Sequence, residues 1–117
     1  MARSDFTWIN LDFQFNAANT ETSETFTIEG KPLNSGSGYL LIQAFDVERS
    51  KHRILINGQD LPSFDIPPQA KNNLWTIWMD RVPQSFLKQG SNRITIRRED
   101  SEDFFVANVV VQWREQG

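Results

Sequence analysis

No cysteine occurs in the chain, which excludes disulfides, thiolate-ligated metals and a cysteine nucleophile. Histidine is almost as scarce, since His52 stands alone between Lys51 and Arg53. One imidazole cannot build a zinc site, which draws on several His or Cys ligands, and it leaves a hydrolytic triad a single candidate base. Positive charge is not in excess either. Twelve Lys and Arg face fifteen Asp and Glu, for a net charge of −3, whereas affinity for phosphate backbones comes from clustered cations that release counterions. Arg93, Arg97 and Arg98 do cluster, but Glu99, Asp100, Glu102 and Asp103 sit beside them, so nucleic acid is not the expected partner. No apolar run approaches the roughly 20 residues of a membrane helix, and Met1-Ala2-Arg3-Ser4-Asp5 contains no apolar leader core. The expectation is a soluble, cytoplasmic protein with no membrane partner, secreted only if a leader has been removed. Repeats, low-complexity tracts and linkers are missing too. The 117 residues therefore read as one domain, 1–117, large enough for one core.

What is present is aromatic and alternating. Nine Phe and four Trp supply bulky apolar side chains in short runs of period two, the signature of half-buried strands. Ile9, Leu11, Phe13 and Phe15 alternate with Asn10, Asp12 and Gln14, and Phe26 and Ile28 alternate with Thr25, Thr27 and Glu29. Tyr39 to Val47 is a longer apolar run suited to a central strand. Arg53 to Ile56 enters Asn57-Gly58, a dipeptide that tolerates the positive φ angles of a tight hairpin, and Gln59 to Leu61 returns. Pro62, Pro67 and Pro68 make Leu61 to Gln69 irregular or an edge. Leu74 to Asp80 is a strand with Trp75, Ile77 and Met79 on one face and Leu74, Thr76 and Trp78 on the other. Pro83 to Leu87 permits one helical turn, and Ile94 to Arg98 and Phe104 to Trp113 close the chain. About eight strands at this spacing predict an all-β, antiparallel β-sandwich or jelly roll.

Two phrases are more specific. Ile54-Leu55-Ile56-Asn57-Gly58, followed by Leu87-Lys88-Gln89-Gly90-Ser91-Asn92-Arg93-Ile94-Thr95-Ile96, resembles the galactose-binding-domain-like β-sandwiches, above all the sugar-binding jelly roll of family 2 glycoside hydrolases. The likeness covers Tyr39 to Trp113. Its motifs mark turns. The resemblance implies a carbohydrate-binding role without catalysis, because the catalytic acids of those hydrolases reside in a separate barrel. It also implies calcium as a candidate ligand.

Candidate site residues follow from side-chain chemistry. An indole at Trp78, flanked by Thr76 and Asp80, would make a stacking platform for a sugar ring; the competing reading covers it in the core or in a subunit contact. Trp8 stands similarly beside Asn10 on the polar face of the first strand. For a hard cation the oxygen donors are Asp100 and Asp103 in the acidic run, and Asp46 and Glu48 after the central strand. The competing reading makes them solvated loop residues paired with Arg97 and Arg98. A glycosidase needs two carboxylates across a cleft, and most acidic residues here fall in turns, so no enzyme activity and no required cofactor is expected. Two functions remain: a lectin-like carbohydrate-binding module acting through Trp78, Asp80, Trp8 and Asn10, or a structural subunit that self-associates or docks on a partner protein through a doubly apolar strand.

Overall fold

The computed structural model describes residues 2–48, 52–62, 66, 68 and 73–116. Eight strands, β1 (Ala2–Phe15), β2 (Glu21–Ile28), β3 (Ser37–Phe45), β4 (Arg53–Ile56), β5 (Gln59–Asp60), β6 (Trp75–Pro83), β7 (Gly90–Arg97) and β8 (Phe104–Gln116), form two antiparallel sheets. The front sheet has the order β1-β8-β3-β6 and the back sheet β2-β7-β4-β5. Strands that alternate between two four-stranded sheets in this order make a jelly roll. Gln84–Phe86 forms a single 3-10 turn after Pro83, as the proline and the following Gly90 predict. No helix among the described residues is long and apolar enough to cross a membrane.

Alternation builds the core. Leu40, Ile42 and Ala44 of β3, Ile54 and Ile56 of β4, and Ile94 and Ile96 of β7 all point inward and are buried. Each such aliphatic contributes on the order of 1.5–3 kcal/mol when fully covered. Phe15 stacks on Phe104 with ring centroids 4.4 Å apart, and Phe13 meets Phe15 edge-on. The irregular segment after β5 joins this core through buried Leu61 and Ile66; positions 63–65, 67 and 69 of that predicted segment lie outside the described residues, as do positions 49–51.

Two strands depart from the alternation. Strict parity sets Phe104, Val106 and Val110 against Phe105, Val109 and Val111, yet Phe104, Val106, Val109 and Val111 are all buried. Bulges are responsible: the β1–β8 register shifts between Asn10 and Phe13, and the β3–β8 register between Ile42 and Ala44. An extra residue flips every later side chain to the other face. Asp12, at φ 42°, occupies the bulge in β1. The first strand also begins at Ala2 rather than Ile9, because β8 extends to Gln116 and supplies ladder partners for Arg3 through Trp8. Tertiary pairing here overrides the weak strand preference of Arg3-Ser4-Asp5.

The two turn phrases interlock. Asn57 (φ 52°) and Gly58 (φ 80°) both adopt left-handed backbone, as the favoured two-residue hairpin turn requires. Asn57 Nδ2 donates to Asn92 Oδ1 at 2.8 Å and to the Phe86 carbonyl, while Asn57 Oδ1 accepts from the Arg93 N–H. Buried Asn92 in turn donates to the Lys88 and Gly90 carbonyls and accepts from the Lys88 N–H. These amides satisfy backbone groups that would otherwise be buried without partners, so both asparagines are scaffold.

Candidate functional site

The outer face of the front sheet is where bulky side chains meet solvent. Register places Trp8, Val110, Leu41 and Met79 in one row across β1, β8, β3 and β6. The next row carries Asn10 opposite Asn108, with Gln43 opposite Ile77 further across. A third row runs through Phe105, Phe45 and Trp75. In it Trp75 lies 5.1 Å from Phe45 and meets Phe105 edge-on at 6.1 Å. Phe6 and Tyr39 lie beyond the first row, both exposed. Trp8 is 62% and Ile77 63% exposed. Monomeric proteins rarely present so continuous an apolar surface unless something binds it.

Across the middle of this face runs a line of side-chain hydrogen bonds. The Trp8 indole N–H donates to Asn108 Oδ1 at 2.9 Å, and Asn108 Nδ2 donates to Gln43 Oε1 at 2.9 Å. The bonds fix the indole of an exposed Trp and the planes of two amides without using all their donors, since each amide nitrogen carries two N–H groups. β1 and β3 position the ends of the line and β8 its centre, with Gln43 and Asn108 lying at the irregularity of the β3–β8 register. Outward parity from Trp8 to Asn10, and from Leu41 to Gln43, follows directly from the strand period.

The predicted site residues fall into separate places. Trp8 and Asn10 share the outer face. Trp78 and Asp80 are on the other side of the same sheet and at its opposite edge, because Asp80 and Val82 share their parity and both are buried. The outward positions of β6 are Trp75, Ile77 and Met79, and Trp78, at 38% exposure, belongs to the inner side. Asp80 Oδ1 accepts from the Arg81 N–H. The four cation candidates are spread over loops. Asp46, at φ 63°, accepts from the Asn73 N–H at 2.9 Å. Glu48 is exposed, and its own N–H donates to Glu102. Asp100 caps the Ser101 N–H, and Asp103 faces Arg98 at 3.9 Å. Among the described residues no three His, Asp or Glu side chains converge as a metal group.

His52 is buried, although Lys51 and Arg53 flank it. Its Nδ1 accepts from the Glu99 N–H at 3.2 Å, which leaves the proton on Nε2 to be donated to Glu102 Oε1 at 2.5 Å. Glu102 Oε2 accepts from the Glu48 N–H, and the imidazole stacks on Phe104 at 4.1 Å. This node ties the segment after β3 to the segment before β8. A second missed node is Glu115, buried between the Arg3 guanidinium at 2.8 Å and the Trp113 indole N–H at 3.1 Å. Both are structural fastenings remote from the exposed face.

A family model spans residues 3–115 of the chain. The chain belongs to DUF7383, described as a family of unknown function. No curated protein sequence matches it. Solved structures share the fold of this DUF7383 domain at low identity. A region of dimeric latent PorU from Porphyromonas gingivalis superposes with TM-score 0.73 and 10% identity, over 98% of this chain and 13% of that one. A β-porphyranase of glycoside hydrolase family 86 from the gut bacterium Bacteroides plebeius gives 0.67 and 20%, over 97% and 20%. BuGH86wt in complex with neoagarooctaose gives 0.51 and 14%, over 98% and 20%. The chain thus spans about an eighth to a fifth of the length of these matched chains. What is shared is the β-sandwich, and fold alone does not assign activity.

Proposed function

We propose that the domain is a noncatalytic binding module that holds a carbohydrate against the outer face of the front sheet, on the strip formed by β1, β8 and β3. The observation that carries this reading is the line from exposed Trp8 through half-buried Asn108 to half-buried Gln43, set between apolar rows. A pyranose presents C–H groups on its ring faces and hydroxyls around its rim. An exposed indole held by its own hydrogen bond suits the first, and amides with further donors and acceptors suit the second. Three strands spaced about 4.8 Å apart give a strip roughly 10 Å across, room for one or two sugar rings. Indole and amide side chains do not ionise near neutral pH and supply neither a general acid nor a general base, so the strip's chemistry is that of binding. The two turn phrases resembling the sugar-binding jelly roll of family 2 glycoside hydrolases support the same class. The sandwich shared with a β-porphyranase and with BuGH86wt makes galactan oligosaccharides the first probes.

The test is a glycan array that includes neoagaro-oligosaccharides and porphyran fragments, probed with the wild type, Trp8→Ala, and Thr95→Ala on the back sheet. Selective binding that disappears in Trp8→Ala and persists in Thr95→Ala is expected. Folded protein that binds nothing on the array, or a Trp8→Ala variant that binds as the wild type does, overturns the reading.

A further inference from the structure

The part of the outer face contributed by β6 has a different chemistry. Ile77 and Met79 are both more than half exposed and have nothing to offer a hydroxyl. Their strand is also an edge of the front sheet, and sheet edges present unpaired backbone groups that proteins ordinarily protect. Among the described residues there are four such edges. β1 is interrupted by its bulge at Asp12 and carries Arg3 and Asp5. β2 carries exposed Glu21 and Glu24, and β5 is only two residues long. β6 gathers its protecting residues, Asp80, Arg81 and Pro83, at its far end, and from Trp75 to Met79 it contains no charge, no glycine and no proline. Among the described residues it pairs on one side alone, with β3.

We infer that two copies of the chain pair their β6 strands antiparallel about a two-fold axis at Trp78, joining two four-stranded sheets into one of eight. A two-fold axis perpendicular to the sheet keeps outward residues with outward residues, so opposed positions have even sums and the axis must pass through a residue. Centred on Trp78, the pairing sets Ile77 against Met79 of the partner subunit and Trp75 against Arg81 of the partner subunit. Thr76 meets Asp80 of the partner subunit. The seam is then apolar at its centre, with a cation over an indole at each end, and no like charges are opposed. An axis at Asp80 would instead oppose two carboxylates. The exposed parts of Trp75, Ile77, Trp78 and Met79 amount to on the order of 400 Å² per copy, given about 150–250 Å² for each aromatic. With the paired backbones, two copies approach the roughly 1,000 Å² that a specific interface requires. The strip around Trp8 stays open on both copies, so the inference stands whatever that strip binds.

Sedimentation velocity over a micromolar concentration series tests it, with circular dichroism confirming the fold of each variant. The wild type is expected to show a monomer–dimer equilibrium. Ile77→Lys and Met79→Glu, both at outward positions, should each weaken dimerisation about tenfold. The double variant Ile77→Lys/Met79→Glu places opposite charges across the seam in this register and should restore most of the lost affinity. A wild type that stays monomeric, single variants that dimerise normally, or a double variant no better than the singles overturns the inference.

Discussion

The two sheets of this sandwich obey the same alternation on the inside and differ on the outside. On the back sheet the outward positions are Ser23, Thr25, Arg93, Thr95 and Arg97, cross-linked by polar contacts. The Ser23 and Thr95 hydroxyls lie 2.8 Å apart, Arg97 Nε donates to Glu21 at 2.8 Å, and Arg53 pairs with Asp60. Short polar side chains and ion pairs are what a water-facing sheet needs. On the front sheet the same kind of position holds Phe6, Trp8, Leu41, Trp75, Ile77 and Met79. Beyond cross-strand contacts such as Trp75 on Phe45, these side chains lie outside the core and leave apolar surface facing water. The contrast is the reason the proposed binding strip is placed on the front sheet, while the back sheet has the chemistry of a solvated wall.

Asn92→Ala should have the largest effect and should sharpen the contrast by separating stability from binding. It removes four side-chain hydrogen bonds at a buried turn, and we expect a loss of about 2–3 kcal/mol in urea denaturation, with glycan binding retained by the folded fraction. Trp8→Ala should do the reverse, weakening glycan affinity at least about tenfold in a titration while changing stability by under about 0.5 kcal/mol. Asn108→Ala comes next. It releases both the Trp8 indole and the Gln43 amide, so affinity should drop about fivefold, roughly the cost of one hydrogen bond, and Asn108→Asp should not rescue it because the Gln43 carbonyl loses its donor. Arg97→Ala should have the smallest effect. The hydrogen bond and charge of Glu21 hold the Arg97 guanidinium above its ordinary value. A raised cation contributes its stabilisation fully at every pH below its unfolded range and loses it only as pH rises through the folded value, so this group adds no pH dependence near neutrality; the pair is exposed on both sides, which keeps its contribution within the scatter of ordinary surface substitutions. The unfolding midpoint of Arg97→Ala should match the wild type, and so should its glycan binding.

Much of the fold is legible in the residues, and the failures have physical causes. Ile54, Ile56, Ile94 and Ile96 face the core as their alternation predicts, and Asn57-Gly58 makes the predicted turn. Side-chain parity within a strand is local information. Which parity is buried depends on what lies opposite, and for β6 both parities are apolar, so only the burial of Val82 two turns of the pleat away decides that Trp78 points in and Ile77 out. Bulges are likewise invisible where, as in Phe104 to Val111, every residue but Asn108 is apolar or small. His52 could have been found: it lies two residues before Ile54 and shares its inward parity, a signal masked by Lys51 and Arg53 on either side. The amide line is partly legible, since the strand period alone puts Trp8 and Asn10 on one face. Its partners Asn108 and Gln43 come from strands far away in sequence, and only the register brings them together.

The most direct measurement is a titration of ¹⁵N-labelled protein with neoagaro-oligosaccharides and any array-positive glycan, observed through the four indole N–H resonances. The account predicts that the Trp8 resonance shifts on binding, together with the side-chain amides of Asn108 and Gln43, while the resonance of buried Trp113 stays in place. Shifts confined to the back sheet or to the loops, with Trp8 unmoved by a glycan that binds, would contradict it.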